Sequence, residues 1–290
     1  MEHLLHQIAA AAEQNHWNLF GYSVMDGNRA CQTIHPVQAP ACCNCYSVAK
    51  LFTLTALGLL YDQGLLDWNE RIVDLFPDAL PAHADPHWNA VTIDHVVRHR
   101  MGLDEGYLDI DTEDIFLYPS DNFLRLVFSL RLPFAPGTQR TYSDAAYYLL
   151  SRVVTQKTGE ALDTFLWRHL FYPLHVQEAA WSKCPHGYAI GATGLYLRTE
   201  DVVKLGYLYA SGGQWNNHQI LSPDFVSHAV QNRYEWAPFK ETDCYGKRGM
   251  NGQMLLFSPE RHLSVAWHSF TAPDVQKELL RLTIEHLPSC

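Results

Sequence analysis

Ser47 and Lys50, in the stretch Tyr46-Ser47-Val48-Ala49-Lys50-Leu51-Phe52, stand where a turn-rich beginning gives way to a long apolar run. Residues three apart share one face of a helix, so the hydroxyl and the amine can sit side by side. Ser47 would then lie at a helix N-terminus, where unpaired backbone NH groups and the macrodipole favour the negative charge of an activated nucleophile. The residues that follow, among them Leu51, Phe52, Leu54, Leu57 and Leu60, are apolar nearly all the way round a helix, which calls for burial on all sides. A lysine entering such a helix is partly desolvated. It can accept a proton, or stay charged and tune a neighbour. The same four residues also read as a helix N-cap serine beside a solvated lysine, so the motif needs support from the rest of the chain.

Composition narrows the classes. At 290 residues and 47% hydrophobic content, the chain can bury roughly three quarters of its unfolded surface, which fits one or two soluble domains. A formal net charge of -10 argues against a nucleic-acid partner, since a phosphate backbone calls for clustered Lys and Arg. No stretch has the roughly eighteen consecutive apolar residues of a membrane span. The first residues lack a basic segment and their apolar run is broken by His6, Gln7 and Glu13, so no signal peptide is read there and a cytoplasmic location is expected. Seven cysteines, three of them crowded at Cys42, Cys43 and Cys45, do not form a disulfide framework; reduced, buried thiols near the site are expected. Cys42 and Cys45 lack a second ligand pair, and the histidines form no His-Glu-x-x-His, so neither metal nor cofactor is expected. The six carboxylates of residues 104–114 fit no calcium-loop register and read as a solvated acidic loop.

The elements that would position Ser47 and Lys50 can be read in order. An amphipathic helix ends near Asn15; residues 18–25 and 30–35 form a hairpin about Asp26-Gly27-Asn28. The Ser47 helix stops at Gly64. A short helix over 93–99 has Thr92 as N-cap and carries His95 and His99 at polar positions, and further helices are expected over 122–132, 145–157 and 163–172. A helix near 201–211 and one opened by Ser222-Pro223 follow. Residues 242–248, 253–257 and 263–268 read as strands, with Asn251-Gly252 as a hairpin turn, and a helix over 275–287 ends the chain. Strands at both ends and a helical middle predict an α+β fold: an antiparallel sheet built from both chain ends and flanked by helices, with an inserted mainly helical domain. The expected division is 1–64 with 188–290 as the sheet domain and 65–187 as the helical domain, with the active site between them.

The order of these landmarks resembles the serine β-lactamase and penicillin-binding-protein superfamily, in particular its class C β-lactamase, D-alanyl-D-alanine carboxypeptidase and family VIII esterase branch. The resemblance runs from about Phe20 to Trp267. It rests on Ser47-Val48-Ala49-Lys50, Gly64-Leu65-Leu66-Asp67, His99-Arg100-Met101-Gly102-Leu103, Pro136-Gly137-Thr138, Tyr142-Ser143-Asp144, Gly194-Leu195-Tyr196, Gly212-Gly213 and Ile220-Leu221-Ser222-Pro223. It implies Ser47 as nucleophile, Lys50 and Tyr142 as the proton-transfer groups, and Asp144 in the place usually held by Asn. A carboxylate there keeps an acceptor for Lys50, loses the amide donor, and holds Lys50 protonated, which favours Tyr142 as the base. Lys157-Thr158-Gly159 matches the family's third motif literally, yet reads as a helix end with Gly159 as C-cap. Lys247-Arg248-Gly249 is the better match and Cys244-Tyr245-Gly246 the alternative. By analogy the backbone NH groups of Ser47 and Met250 would form the oxyanion hole.

Two functions follow from the resemblance. One is a serine hydrolase that forms an acyl-enzyme on an ester, amide or β-lactam carbonyl, with Ser47, Lys50 and Tyr142 catalytic and Asp144, Lys247, Arg248, Gly249 and Met250 binding substrate. The other is a binding or regulatory protein that keeps the fold without turnover. Either takes a small molecule or peptide as partner, with no nucleic acid and no membrane, and leaves the oligomeric state open.

Overall fold

The computed structural model describes residues 1–28 and 30–288; Cys290 falls outside them. The chain divides into two compact units, one made of Met1–Val48, Leu170–Ala180 and Leu195–Cys290, the other of Ala49–His169 and Trp181–Gly194. The fold is the α+β arrangement expected, with strands from both chain ends in one sheet.

In the first unit, α1 (Glu2–Gln14) precedes the hairpin β1 (Leu19–Met25) and β2 (Cys31–Ile34). Three short strands, β3 (Cys43–Asn44), β4 (Ala179–Trp181) and β5 (Leu195–Leu197), form a small sheet in the order β3-β5-β4. Later come β6 (Gln214–Trp215), β7 (His218–Gln219), β8 (Ala237–Pro238), β9 (Tyr245–Arg248), β10 (Met254–Ser258) and β11 (Leu263–Ser269). Among the described residues, six strands make the main sheet, in the order β2-β1-β11-β10-β9-β8. The pairing of β1 with β11, Tyr22 opposite Trp267 and Val24 opposite Val265, joins the two ends of the chain.

Period-2 alternation gives that sheet two apolar faces. Tyr22, Val24, Met254, Leu256, Val265 and Trp267 form a core with Leu4, Leu5 and Ile8 of α1. Leu279 of the last helix, which runs Pro273–Glu285, joins the same core. Tyr22 and Trp267 stack at 5.5 Å, and the Tyr22 hydroxyl meets Thr283 at 2.9 Å, so the buried phenol keeps a hydrogen-bond partner. The opposite face is covered by the helix Thr199–Ala210, where Gly206 lies against Ser264 and Leu255 so closely that a side chain would collide.

In the second unit, α2 (Ala49–Asp62) is buried along almost its whole length. After it come α3 (Ile72–Leu75), α4 (Ile93–Val97), α5 (Phe123–Ser129), α6 (Asp144–Thr158) and α7 (Leu162–Leu166), the last running into a π-helical turn, Trp167–Phe171. The first unit's later helices are then α8 (Thr199–Ala210), α9 (Pro223–Gln231) and α10 (Pro273–Glu285). A helix apolar on every side needs neighbours on every side, and α2 packs on α6 and α7, so it belongs with the helices. Gly159, in the left-handed region at φ 73°, caps α6, and Lys157 pairs with Glu70 at 2.5 Å. The literal Lys157-Thr158-Gly159 match is therefore a helix end.

Candidate active site

In the second unit, Lys50 enters the first turn of α2 with its side chain fully buried and its ammonium 2.7 Å from Asp144 Oδ1. It also donates to the Ala192 carbonyl at 3.0 Å and lies 4.7 Å from the centre of the Tyr142 ring. Each contact has a local cause. Asp144 opens α6, where the unpaired NH groups and the macrodipole favour a carboxylate. Ala192 follows Gly191, whose positive φ of 73° and contact with the Tyr147 carbonyl leave no room for a side chain. The Gly191 carbonyl accepts from Thr53 Oγ1 at 2.7 Å and the Thr193 carbonyl from Trp181 Nε1 at 2.8 Å, which fixes the segment. Tyr142 rests on buried His99, ring centres 4.4 Å apart, and His99 Nδ1 accepts the Ser143 NH at 3.3 Å.

Lys50, Tyr142 and Asp144, assembled from sequence positions far apart, are thus together. Reading by pattern missed three members of the group: His99, Ala192 and Asp111. His99 lies beyond the end of α4 with φ 56°, so helical spacing placed it on a polar face it does not occupy; His95 does sit on α4, in a capping box with Thr92. Asp111 comes from the acidic loop. Its Oδ2 accepts from Thr193 Oγ1 at 2.5 Å, and Asp109, Asp111 and Asp144 each bring a carboxylate oxygen within 4.8 Å of the others. The loop is therefore not solvated throughout: Asp104 and Glu105 are exposed, Asp109 and Asp111 half-buried.

Burial raises the Asp111 carboxyl above the usual carboxylate range, and the negative charges of Asp144 and Asp109 push the same way against the Thr193 hydroxyl and Lys50. A carboxyl whose pKa is raised by folding stabilises the fold below its unfolded value and loses that contribution as pH rises through the folded one. Asp111→Asn, which still accepts from Thr193, should therefore unfold at a higher temperature than the parent at about pH 7, the difference shrinking as pH falls into the carboxylate range. Thermal unfolding across pH measures this; a parent more stable than Asp111→Asn at neutral pH would refute it.

In the first unit, Ser47 occupies a 3-10 turn, Tyr46–Val48, that follows β3 and runs directly into α2. Tyr46 is held at φ 47°, a left-handed conformation costly for a non-glycine residue. The Asn44 side chain accepts its NH at 2.8 Å, and Val48 NH closes the turn on the Cys45 carbonyl at 3.1 Å. Beneath it lies a buried series: Cys45 Sγ is 3.5 Å from His268 Nε2, and His268 Nδ1 is 2.9 Å from Thr199 Oγ1. Burial pushes the His268 pKa down to about 4, so the ring is neutral, and pushes the Cys45 thiol up.

The Tyr46–Val48 turn packs against β9. A Cβ on Gly249 would come within 3.0 Å of the Cys45 carbonyl, which explains glycine at the end of Lys247-Arg248-Gly249. Lys247 does not present an uncompensated cation: it is ion-paired with Glu235, and both side chains are largely buried. Arg248, next along the strand, points to the other face and lines a groove against α10. Met250 is exposed in the hairpin that Gly249 NH closes on the Gln253 carbonyl at 2.8 Å. Cys244, of the alternative motif, is buried in the core beneath α1 and α10. The six described cysteines are free thiols; Cys45, Cys184 and Cys244 are buried, Cys42 and Cys43 half-buried and Cys31 exposed, so burial of the thiols near Ser47 is complete only at Cys45.

A sheet built from both chain ends, a helical unit, and Ser-x-x-Lys leading into the buried helix α2 are the features of the serine β-lactamase and penicillin-binding-protein superfamily. The family model described as Beta-lactamase matches residues 9–286, and the chain belongs to that family. It is 26% identical over 211 residues to N-acetylmuramyl-L-alanine amidase of Bacillus subtilis (strain 168), covering 70% of this chain and 43% of that protein. The chain thus spans less than half of that relative. Among solved structures, a penicillin-binding-protein homologue from Caulobacter crescentus superposes with a TM-score of 0.74 at 14% identity, covering 98% of this chain and 97% of that one. EstCE1, a hydrolase with promiscuous acyltransferase activity, superposes with a TM-score of 0.73 at 17% identity, with the same coverage of 98% and 97%. At these identities the superpositions establish the fold. Among the described residues, no helix is long and apolar enough to cross a membrane.

Proposed function

We propose that this protein is a serine hydrolase that works through an acyl-enzyme on a small ester or peptide carbonyl. The observation that carries the reading is Lys50: three residues after Ser47, fully buried, 2.7 Å from Asp144 and against the Tyr142 ring. A buried ammonium held this way has no packing rationale, because burying an ion pair gains little stability over apolar residues of the same volume; a charge placed to stabilise a reacting neighbour is the economical account. In the proposed reaction Ser47 Oγ attacks the carbonyl as its proton passes to Tyr142. Lys50, kept charged by Asp144, stabilises the phenolate, and Tyr142 returns the proton to the leaving group. Water then releases the acyl group from Ser47. The NH groups of Ser47 and Met250 are the proposed oxyanion donors.

The Lys247–Glu235 pair bears on substrate. In the sequence-based reading Lys247 would face a substrate carboxylate, but Glu235 already supplies its countercharge, which favours neutral acyl groups over carboxylate-bearing ones. The relatives and neighbours, an amidase, a penicillin-binding-protein homologue and a hydrolase with acyltransferase activity, are compatible with ester or amide chemistry. A fluorophosphonate should label the protein once, at Ser47, and Ser47→Ala should abolish labelling as well as turnover of short-chain aryl esters. Intact-mass and peptide mass spectrometry read the site. A label that survives Ser47→Ala removes the nucleophile assignment, and absence of both labelling and turnover favours the non-catalytic binding protein.

A further inference from the structure

Four cations gather around one groove of the first unit, on a chain whose formal net charge is -10. Lys240 and Arg248 come from the β8–β9 side, Lys277 and Arg281 from α10, and the groove has a volume of about 360 Å³, within the range of small-molecule sites. Its apolar floor is Phe239, Leu280 and Ile284, which back onto the Tyr22–Trp267 core and are only partly buried. Spacing accounts for the helix side: Lys277 and Arg281 are four apart, as are Leu280 and Ile284, so α10 offers adjacent basic and apolar stripes. Strand alternation accounts for the other side, since it turns Arg248 away from the face of Lys247.

Charge compensation inside the groove is incomplete. Glu285 is the one carboxylate among the described lining residues, and it is paired with Arg281, which Glu278 also engages at 2.6 Å. Among the described residues, no ion pair engages Lys240, Arg248 or Lys277. The adjoining cavity, about 510 Å³, shares Thr242 and Ile284 but is lined by Glu241, Asp243 and Glu260, so an anion is confined to the basic side.

We propose that this groove binds an organic carboxylate with an apolar body, such as a medium-length acyl or aryl acid, its head held by Arg248 and Lys277 with Lys240 and its body laid on Phe239, Leu280 and Ile284. A guanidinium matches a carboxylate in a planar, bidentate way that an ammonium cannot. The apolar floor supplies the area that an inorganic anion could not use. The site is separate from Ser47 and independent of the hydrolase reading.

Equilibrium dialysis of the full chain with labelled octanoate tests this, after Ser47 has been blocked with a fluorophosphonate or replaced by alanine. One saturable site per chain is expected, with octanol and acetate each bound at least about tenfold more weakly, because each lacks one half of the interaction. Lys240→Glu with Lys277→Glu should weaken octanoate by about tenfold or more while the melting temperature stays near the parent's, since both side chains are exposed. Leu280→Gln should weaken it as well, which keeps the test usable if charge reversal disturbs folding. Absence of saturable binding, equal binding of octanol, binding unchanged in these variants, or binding lost when Ser47 is blocked would each overturn the proposal.

Discussion

Tyr142→Phe should lower kcat on an aryl ester by roughly two to four powers of ten, the usual worth of a positioned proton-transfer group, while the protein melts close to the parent temperature. The stability half of this expectation comes from the surroundings. The ring rests on His99 with centres 4.4 Å apart and receives the Lys50 ammonium at 4.7 Å, and phenylalanine keeps both contacts. The residue is 38% exposed, so removing its hydroxyl opens no fully buried cavity. The activity half rests on the proposed reaction, in which Lys50, ion-paired with Asp144 at 2.7 Å, serves as the cation and the Tyr142 phenol as the proton-transfer group. Steady-state and single-turnover kinetics on Tyr142→Phe and Ser47→Ala distinguish the roles. Ser47→Ala should lose acylation altogether, whereas Tyr142→Phe should still acylate slowly. A loss below about tenfold in Tyr142→Phe would return the base to Lys50.

Much of this arrangement is legible in the sequence because it rests on period and punctuation. The run after Lys50 is apolar on every side, and α2 is buried; Gly159 stops α6 where a C-cap glycine should; strands at both ends of the chain pair in one sheet. What stays hidden has no periodic signature. The strands β3 and β5 have two and three residues, too few to show alternation, yet β3 leads into the Ser47 turn. His99 and Tyr46 take left-handed backbone conformations that residue type alone does not announce. Asp111 stands in a carboxylate run that composition reads as solvent-facing, and only the fold brings Thr193 to it. Glu235 lies outside any motif, yet its pairing with Lys247 compensates the cation that the candidate third motif was expected to present.

The largest effect on stability is expected at the ion pair that the proposed reaction uses. Asp144→Ala removes the carboxylate from a lysine whose side chain is fully buried, while Asp144 itself is 7% exposed. The Ala192 carbonyl still accepts one of the ammonium protons in this variant, but no carboxylate then stands at the Asp144 position. Breaking a buried pair from one side costs about 3 to 5 kcal/mol, with a few tenths more from the carboxylate lost at the N-terminus of α6. Asp144→Asn keeps an acceptor of the same size and should cost less than Asp144→Ala. If the penalty is the stranded charge, removing that charge should recover much of it: Lys50→Met combined with Asp144→Ala should be less destabilised than the sum of the single variants, although inactive. Urea unfolding of the two single variants and the double variant gives the coupling energy directly. Additive losses would mean that Lys50 finds another partner when Asp144 is gone. The countercharge for Lys50 would then come from the acidic loop, with Asp111 the next carboxylate to test.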